Sequence, residues 1–355
     1  MNDLETPALL IDHEIMVRNL KGMQSLTDSH GVSLRPHTKT HKCPEIAKLQ
    51  LNEGASGICV QKLSEAEVMV KAGIKDVFIT NEIVEPTKIK RLVNLQQSAS
   101  VKVAVDSLEN AQQLGCTAAA SNHVIPVLID VDTGMKRCGV PIGPVAVRLA
   151  EKVAKTSGLR FDGLMTYEGH LYEIRNPGKR KAAAQRTIGR FVELGKRISR
   201  EGIDVSVLSC GSTPTAVGSV NVAGITELQP GNYIFNDLMQ VDAGSARLPD
   251  CAQRILTTVI SSPSESRCVV DAGSKAFVHD HGEFPRILGD AKGTPTDIHE
   301  EHLTLKTASK FRVGTKIQFI PYHACTATNM FDQIHVLKGD TVSATWPVSA
   351  RGKMN

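Results

Sequence analysis

An amine that attacks an aldehyde must first shed its proton, and burial makes a lysine do so. Lys39 stands in Leu34-Arg35-Pro36-His37-Thr38-Lys39-Thr40-His41-Lys42, a basic, imidazole-rich run between two amphipathic helix patterns. A short strand ending in a lysine, early in a series of strand–helix alternations, is where an imine-forming lysine of a barrel enzyme would stand. Lys42 is its nearest rival, but it falls beside Pro44 at a helix start, where an exposed lysine is expected. Lys275, in Asp271-Ala272-Gly273-Ser274-Lys275, is a weaker rival. Arg137 sits among small residues in Asp132-Thr133-Gly134-Met135-Lys136-Arg137-Cys138-Gly139. A guanidinium keeps its proton at working pH, so opposite a pyridine nitrogen it would hydrogen-bond without handing the proton over.

Two further runs carry chemistry. Ser209-Cys210-Gly211-Ser212-Thr213-Pro214-Thr215 is a small-residue turn opening a helix at a proline. Its N–H groups and the Ser212 and Thr213 hydroxyls suit a phosphate at a helix N-terminus, and they suit a plain helix cap equally well. In Pro321-Tyr322-His323-Ala324-Cys325-Thr326, an extended strand would set His323 and Cys325 on one face. Thiolate plus imidazole suits Zn²⁺. Spacing alone favours the plainer alternative, a buried cysteine beside a structural histidine. His279-Asp280-His281, a rival pair, reads as an exposed turn among Gly282 and Glu283.

These residues need elements to hold them. Leu9–Ile11 reads as a strand, and Asp12 caps a helix running to about Thr27. Eight apolar runs follow, at 34–37, 57–60, 77–80, 101–105, 125–131, 161–167, 205–209 and 225–228. Helical patterns lie between them, at 43–53, 63–72, 86–97, 107–119, 143–157, 180–201 and, briefly, 214–222. That count predicts an α/β fold, a (β/α)8 TIM barrel over residues 12–245. A doubly wound open sheet usually shows a Gly-rich first turn, which is missing. From 246 to 355 short runs separated by Gly, Pro and Asp turns predict an all-β domain, joined by the N-terminal strand within 1–11. In a barrel, function gathers where strands end. The polar residues there are His37 and Lys39, Gln61, Asn81, Asp106, the 130–140 run, Tyr167-Glu168-Gly169-His170, the Ser209–Thr215 turn, and Gln229-Pro230-Gly231-Asn232-Tyr233.

Composition narrows the class. The 355 residues are 41% hydrophobic and 22% charged, with a formal net charge of +4, an ordinary globular balance. The basic residues are spread and only 4% are aromatic, so neither a nucleic-acid footprint nor a base-stacking platform is expected. No signal peptide or membrane span is expected, and eight cysteines without a C-x-x-C pair read as reduced cytoplasmic thiols.

Taken together, the chain resembles the fold-type III pyridoxal-phosphate enzymes, and within them the D-threonine aldolase / D-serine dehydratase family. The blocks that carry the resemblance are Glu5-Thr6-Pro7-Ala8-Leu9-Leu10-Ile11-Asp12, Arg35–Lys42, Cys59-Val60-Gln61-Lys62-Leu63-Ser64-Glu65-Ala66-Glu67, Arg137-Cys138-Gly139-Val140, Gly211-Ser212-Thr213, His323-Ala324-Cys325 and Ser349-Ala350-Arg351-Gly352. The resemblance implies a cofactor imine on Lys39, Arg137 at the pyridine nitrogen and Tyr167 near the ring. It implies a phosphate held by Ser212, Thr213 and the backbone of Gly231, Asn232 and Tyr233, with Gln61 toward the substrate. It implies a divalent metal (Zn²⁺, Mn²⁺ or Mg²⁺) on His323 and Cys325, over the substrate's β-hydroxyl. Two positions depart from the aldolase branch. There a histidine six residues after the tyrosine is catalytic, whereas here that position is Glu173 and His170 comes earlier; and His-x-Cys is the dehydratase form of the metal pair.

The expected activity is therefore a lyase acting on a small D-β-hydroxy-α-amino acid, by retro-aldol cleavage to glycine and an aldehyde, with His170 or a metal-bound hydroxide as base. The alternative on the same site is dehydration of D-serine or D-3-hydroxyaspartate. A racemase needs a second base opposite the lysine, and the chain has only Tyr167, Tyr172, Tyr233 and Tyr322. A non-catalytic cofactor-binding barrel would not need a β domain. The resemblance also implies a homodimer.

Overall fold

The computed structural model describes residues 3–289 and 291–355; Met1 and Asn2, which open the segment expected with the β domain, lie outside them. Two compact units result. The barrel unit comprises Gly22–Lys39, Ile46–Gly231 and Lys353–Asn355, and the β unit comprises Met1–Lys21, Thr40–Glu45 and Asn232–Gly352. The boundary expected near 245–250 thus falls within the β unit.

The barrel unit is built on eight parallel strands: β1 (Ser33–Leu34), β2 (Ile58–Val60), β3 (Asp76–Glu82), β4 (Ser100–Val105), β5 (Ile125–Asp132), β6 (Leu159–Met165), β7 (Val207–Cys210) and β8 (Glu227–Leu228). They pair in the order β1-β8-β7-β6-β5-β4-β3-β2. A bridge between His37 and Cys59, with the Cys59 N–H donating to the Pro36 carbonyl at 2.9 Å, closes the ring. The expected (β/α)8 barrel is present. Side chains alternate along its strands. Cys59, Phe78, Ala104, Leu128 and Met165 form one cluster. Their neighbours Ile58, Val77, Val103, Val127 and Leu164 join a larger one with helix residues such as Leu63, Leu92, Leu114 and Phe191. Two helix starts carry polar caps: Ser107 accepts from the Asn110 N–H, and Asn176 from that of Lys179.

The lysine run folds differently from a plain strand. Pro36 has no N–H to give a ladder, so regular pairing of β1 stops at Leu34 and returns only as the single bridge at His37. Lys39 lies just past the strand, in a 3₁₀ turn over Thr38–Thr40.

The β unit is mostly strand. Its sheet runs Gly293–Ile298, Leu303–Thr307, Arg267–Val270, Gln253–Ser264, Ala8–Asp12, Gln333–Lys338, Thr341–Pro347, with Lys316–Ile320 also pairing Gln253–Ser264. The N-terminal strand is antiparallel to Gln253–Ser264 and parallel to Gln333–Lys338. Ala8, Leu10, Leu256 and Leu337 bury one face of that junction. Gly293–Ile298 escaped the sequence reading because Thr294-Pro295-Thr296-Asp297 is polar and contains a proline, which an edge strand tolerates. Among the described residues no helix is long and apolar enough to cross a membrane.

Candidate functional site

In the barrel unit, three of the expected residues converge on one ring. The Lys39 Nζ lies 5.4 Å from the centroid of Tyr167, and the Arg137 guanidinium carbon 5.2 Å from the same centroid. Two cations within reach of one aromatic ring mark a place where a planar, anionic group would be welcome. The turn that carries Lys39 is fixed by His37, which is buried. The Lys39 N–H donates to His37 Nδ1 at 3.3 Å, so the ring proton sits on Nε2, which faces Thr80 Oγ1 at 2.9 Å. Gln61 is tied to the next strand, its Nε2 donating to the Thr80 carbonyl at 3.2 Å.

Arg137 is set against acids at the ends of β3, β4 and β5. Burial pushes Asp130 up to about 7; nearby Glu82 and Asp106 add to the rise, and Arg137 opposes it. Burial raises Glu82 as well. Asp106 accepts from the Gly139 N–H at 3.1 Å, fixing the loop that carries Arg137. His170 packs over that loop. A Cβ on Gly134 would stand 2.9 Å from His170 Nε2, and φ there is +138°, so a side chain is excluded twice over. The His170 Nδ1 is buried and makes no hydrogen bond with the described residues. So is the Nε2 of Gln229, just past β8. Such atoms need partners, and a bound polar ligand would supply them.

After β7 the chain makes the expected small-residue turn, with Ser212 buried and Thr213 half-buried. Its helix is a single turn over Ala216–Ser219. Of the other phosphate residues expected, Gly231 ends a run of the barrel unit, whereas Asn232 and Tyr233 open the β unit in a 3₁₀ turn over Asn232–Ile234.

The β unit holds the second constellation. His323 and Cys325 do not share an extended strand. Strand Lys316–Ile320 ends before Pro321, His323 caps a helical turn, and Cys325 is the second residue of Ala324–Thr328. The turn forms because the buried Asp237 carboxylate accepts the Ala324 N–H at 2.7 Å, while Thr328 donates back to the Ala324 carbonyl. Cys325 still lies near enough to His323 to raise the proton affinity of its imidazole. Cys325 Sγ also lies 3.2 Å from Thr40 Oγ1 and 3.9 Å from Asn232 Nδ2.

The rival turn is drawn in too. Asp280 Oδ2 lies 2.9 Å from His323 Nδ1, and the ring of His281 packs edge-on to that of His323 with centroids 5.2 Å apart. Ligand atoms of Asp280, His281 and His323 all fall within 4.8 Å of one another. Burial opposes a charge on His323, but Cys325, Asp237 and Asp280 outweigh it and hold the imidazole up at about 10. Surroundings that hold a proton this firmly also favour a divalent cation in its place. A soft thiol and an imidazole, oriented by a carboxylate, fit zinc or a similar metal.

Comparison with known proteins agrees in kind. Residues 11–238 match the alanine racemase N-terminal domain, and residues 252–337 a serine dehydratase domain. A D-threonine aldolase of Arthrobacter sp. is 34% identical over 357 residues, covering 98% of this chain and 93% of its own length. The crystal structure of D-threonine aldolase from Filomicrobium marinum superposes with a TM-score of 0.95 at 35% identity, covering 100% of this chain and 97% of that one. A D-threo-3-hydroxyaspartate dehydratase, from Delftia sp. HT23, solved as a cysteine-to-alanine variant in the metal-free form, gives 0.92 at 30%, covering 98% of each chain.

Proposed function

The chain belongs to the family that joins an alanine racemase N-terminal domain to a serine dehydratase domain, and from that premise we propose a pyridoxal-phosphate- and divalent-metal-dependent lyase of D-β-hydroxy-α-amino acids. The observation that carries the reading is the meeting of Lys39 and Arg137 at the ring of Tyr167. The cofactor supplies an aldehyde and an electron sink, and the metal a Lewis acid for the β-hydroxyl. Lys39 tethers the aldehyde. Arg137 hydrogen-bonds the pyridine nitrogen and retains its own proton, so the sink is weak and the burden shifts to the β-oxygen. Tyr167 backs the ring. The turn carrying Ser212 and Thr213 takes the phosphate, with Gly231, Asn232 and Tyr233 as the rest of its seat. Gln61 faces the substrate. His323 and Cys325 hold the metal, with Asp280 orienting His323 through Nδ1.

Retro-aldol cleavage needs a base for the β-hydroxyl proton, and His170 takes that role. Its Nδ1, without a hydrogen bond among the described residues, and its place beside the loop of Arg137 support the assignment. Full-length likeness to two D-threonine aldolases favours cleavage to glycine and an aldehyde. The His-x-Cys pair keeps dehydration as the second reading, in which Lys39 would remove the α-proton and a metal held by His323 and Cys325 would supply the Lewis acid for the departing hydroxide. The all-free cysteines among the described residues support a reducing, cytoplasmic setting. A homodimer completes the reading, and sedimentation tests it.

Products decide between the two chemistries. With D-threonine, the expected products are acetaldehyde and glycine, formed only with metal and abolished by a chelator. Pyruvate and ammonia from D-serine at the greater kcat/KM would establish the dehydratase instead. Turnover unaffected by Cys325→Ala would remove the metal pair.

A further inference from the structure

The turn after β7 is held from beneath by a carboxylate for which the reaction has no use. Glu168, directly after Tyr167, is completely buried. Its Oε1 accepts from Thr215 Oγ1 at 2.7 Å and from Ser219 Oγ at 2.9 Å, and its Oε2 from the Gly211 N–H at 3.2 Å. Three donors spread over nine residues therefore close on a single side chain. Arg180, also buried, ties the same turn to Ile174, with Nε donating to the Pro214 carbonyl at 3.0 Å and Nη1 to the Ile174 carbonyl at 2.8 Å.

Proton counting assigns the hydroxyls. The Thr215 hydroxyl donates to Glu168 Oε1, and it has only one proton to give. Ser212 Oγ, 2.8 Å from Thr215 Oγ1, must then be the donor of that pair. The Ser212 N–H also points to Thr215 Oγ1, at 2.9 Å. Both protons of Ser212 are thus turned into the loop.

We propose that Glu168 is a positioning residue for the phosphate seat. It never touches the phosphate. It sets the shape of Gly211–Thr215 through Thr215 and Gly211, and it makes Ser212 part of the scaffold rather than a phosphate donor. This rests on the reading that the turn after β7 takes the cofactor's phosphate.

The test is a binding titration on the full chain stripped of cofactor, following imine absorbance with pyridoxal phosphate and with pyridoxal. The readout is the preference for the phosphorylated form, which a general loss of structure at the lysine would not change selectively. Glu168→Gln and Thr215→Val are each expected to shrink that preference about tenfold while leaving pyridoxal affinity unchanged. Should Glu168→Gln fail to fold, Thr215→Val, which removes one hydroxyl, decides alone. Gly211→Val is the control for the seat itself: φ is +96° and its Cβ would stand 2.9 Å from Leu228, so the turn must distort. If Gly211→Val keeps the full preference, the phosphate binds elsewhere and the underlying reading fails. If Gly211→Val loses it while Thr215→Val and a folded Glu168→Gln keep it, the seat stands and the role of Glu168 is overturned.

Discussion

The two ends of the barrel spend their charges differently. At Asp76 and Glu227, the first residues of β3 and β8, Arg35 from just past β1 donates through Nη1 to Asp76 at 2.8 Å and through Nε to Glu227 at 2.6 Å. Lys102 reaches the same Asp76 at 3.3 Å, and Ser209 donates to Glu227 at 2.8 Å. Burial works against the Arg35 charge, but Glu227 and Asp76 outweigh it, and the guanidinium is held protonated more firmly than usual. Where strands end, Glu82, Asp106 and Asp130 crowd around Arg137, and Asp130 rises to about 7. Below, opposite charges are matched in number and geometry. Above, like charges are left in tension. Matched buried charges specify a fold, whereas groups with displaced proton affinities mark a site poised for a ligand.

Three experiments press on that contrast. The largest effect belongs to the upper end. Lys39→Ala is expected to abolish imine absorbance and turnover, while the melting temperature of the cofactor-free protein stays within the range of a surface substitution. Lys42→Ala, one turn on, should keep the colour. Colour in the Lys39 variant would dismantle the site.

Next comes the lower end. Glu227→Ala leaves Arg35 buried without its shortest partner and should cost about 3–5 kcal/mol in a denaturant titration, since an abandoned buried charge cannot be resolvated. A loss below about 1 kcal/mol would mean that the lower network is decorative.

The smallest effect sharpens the upper end again. Asp130 ordinarily ionises near 3.8 and in the fold near 7, so the folded chain binds the proton that the unfolded chain has released. Stability is therefore fully present below 3.8 and declines as pH rises through that window. Asp130→Asn, beside Glu82, Asp106, Arg137 and Cys138, is expected to flatten the decline. An unchanged slope would show that Asp130 ionises normally.

Much of the fold was legible because each strand and helix carries its own period. The runs at 101–105 and 125–131 appear nearly as read, since alternation and burial agree locally. Gly293–Ile298 was not legible, because an edge strand with a proline looks like a turn. The site divides in the same way. Lys39, Arg137 and Tyr167, which meet in the structure, could be picked out by type and position at strand ends. Asp280 and Glu168 did not. Asp280 sits in a polar turn like many others, and its meaning comes from His323, 43 residues on, which its carboxylate reaches at 2.9 Å. The only sequence signal for Glu168 was its place beside Tyr167 at a strand end.

By itself, then, the sequence determined the barrel, the strand-rich unit after it and the chemical types available, because periodicity and residue identity are local properties. Tertiary structure alone decided which carboxylates serve which neighbours. It turned His323 and Cys325 onto a helical start capped by Asp237 and brought the 280 turn to them. It also buried Glu168 under the strand-seven turn. Hydrogen-bond partners distant in sequence are chosen by packing geometry, and no local pattern encodes that choice.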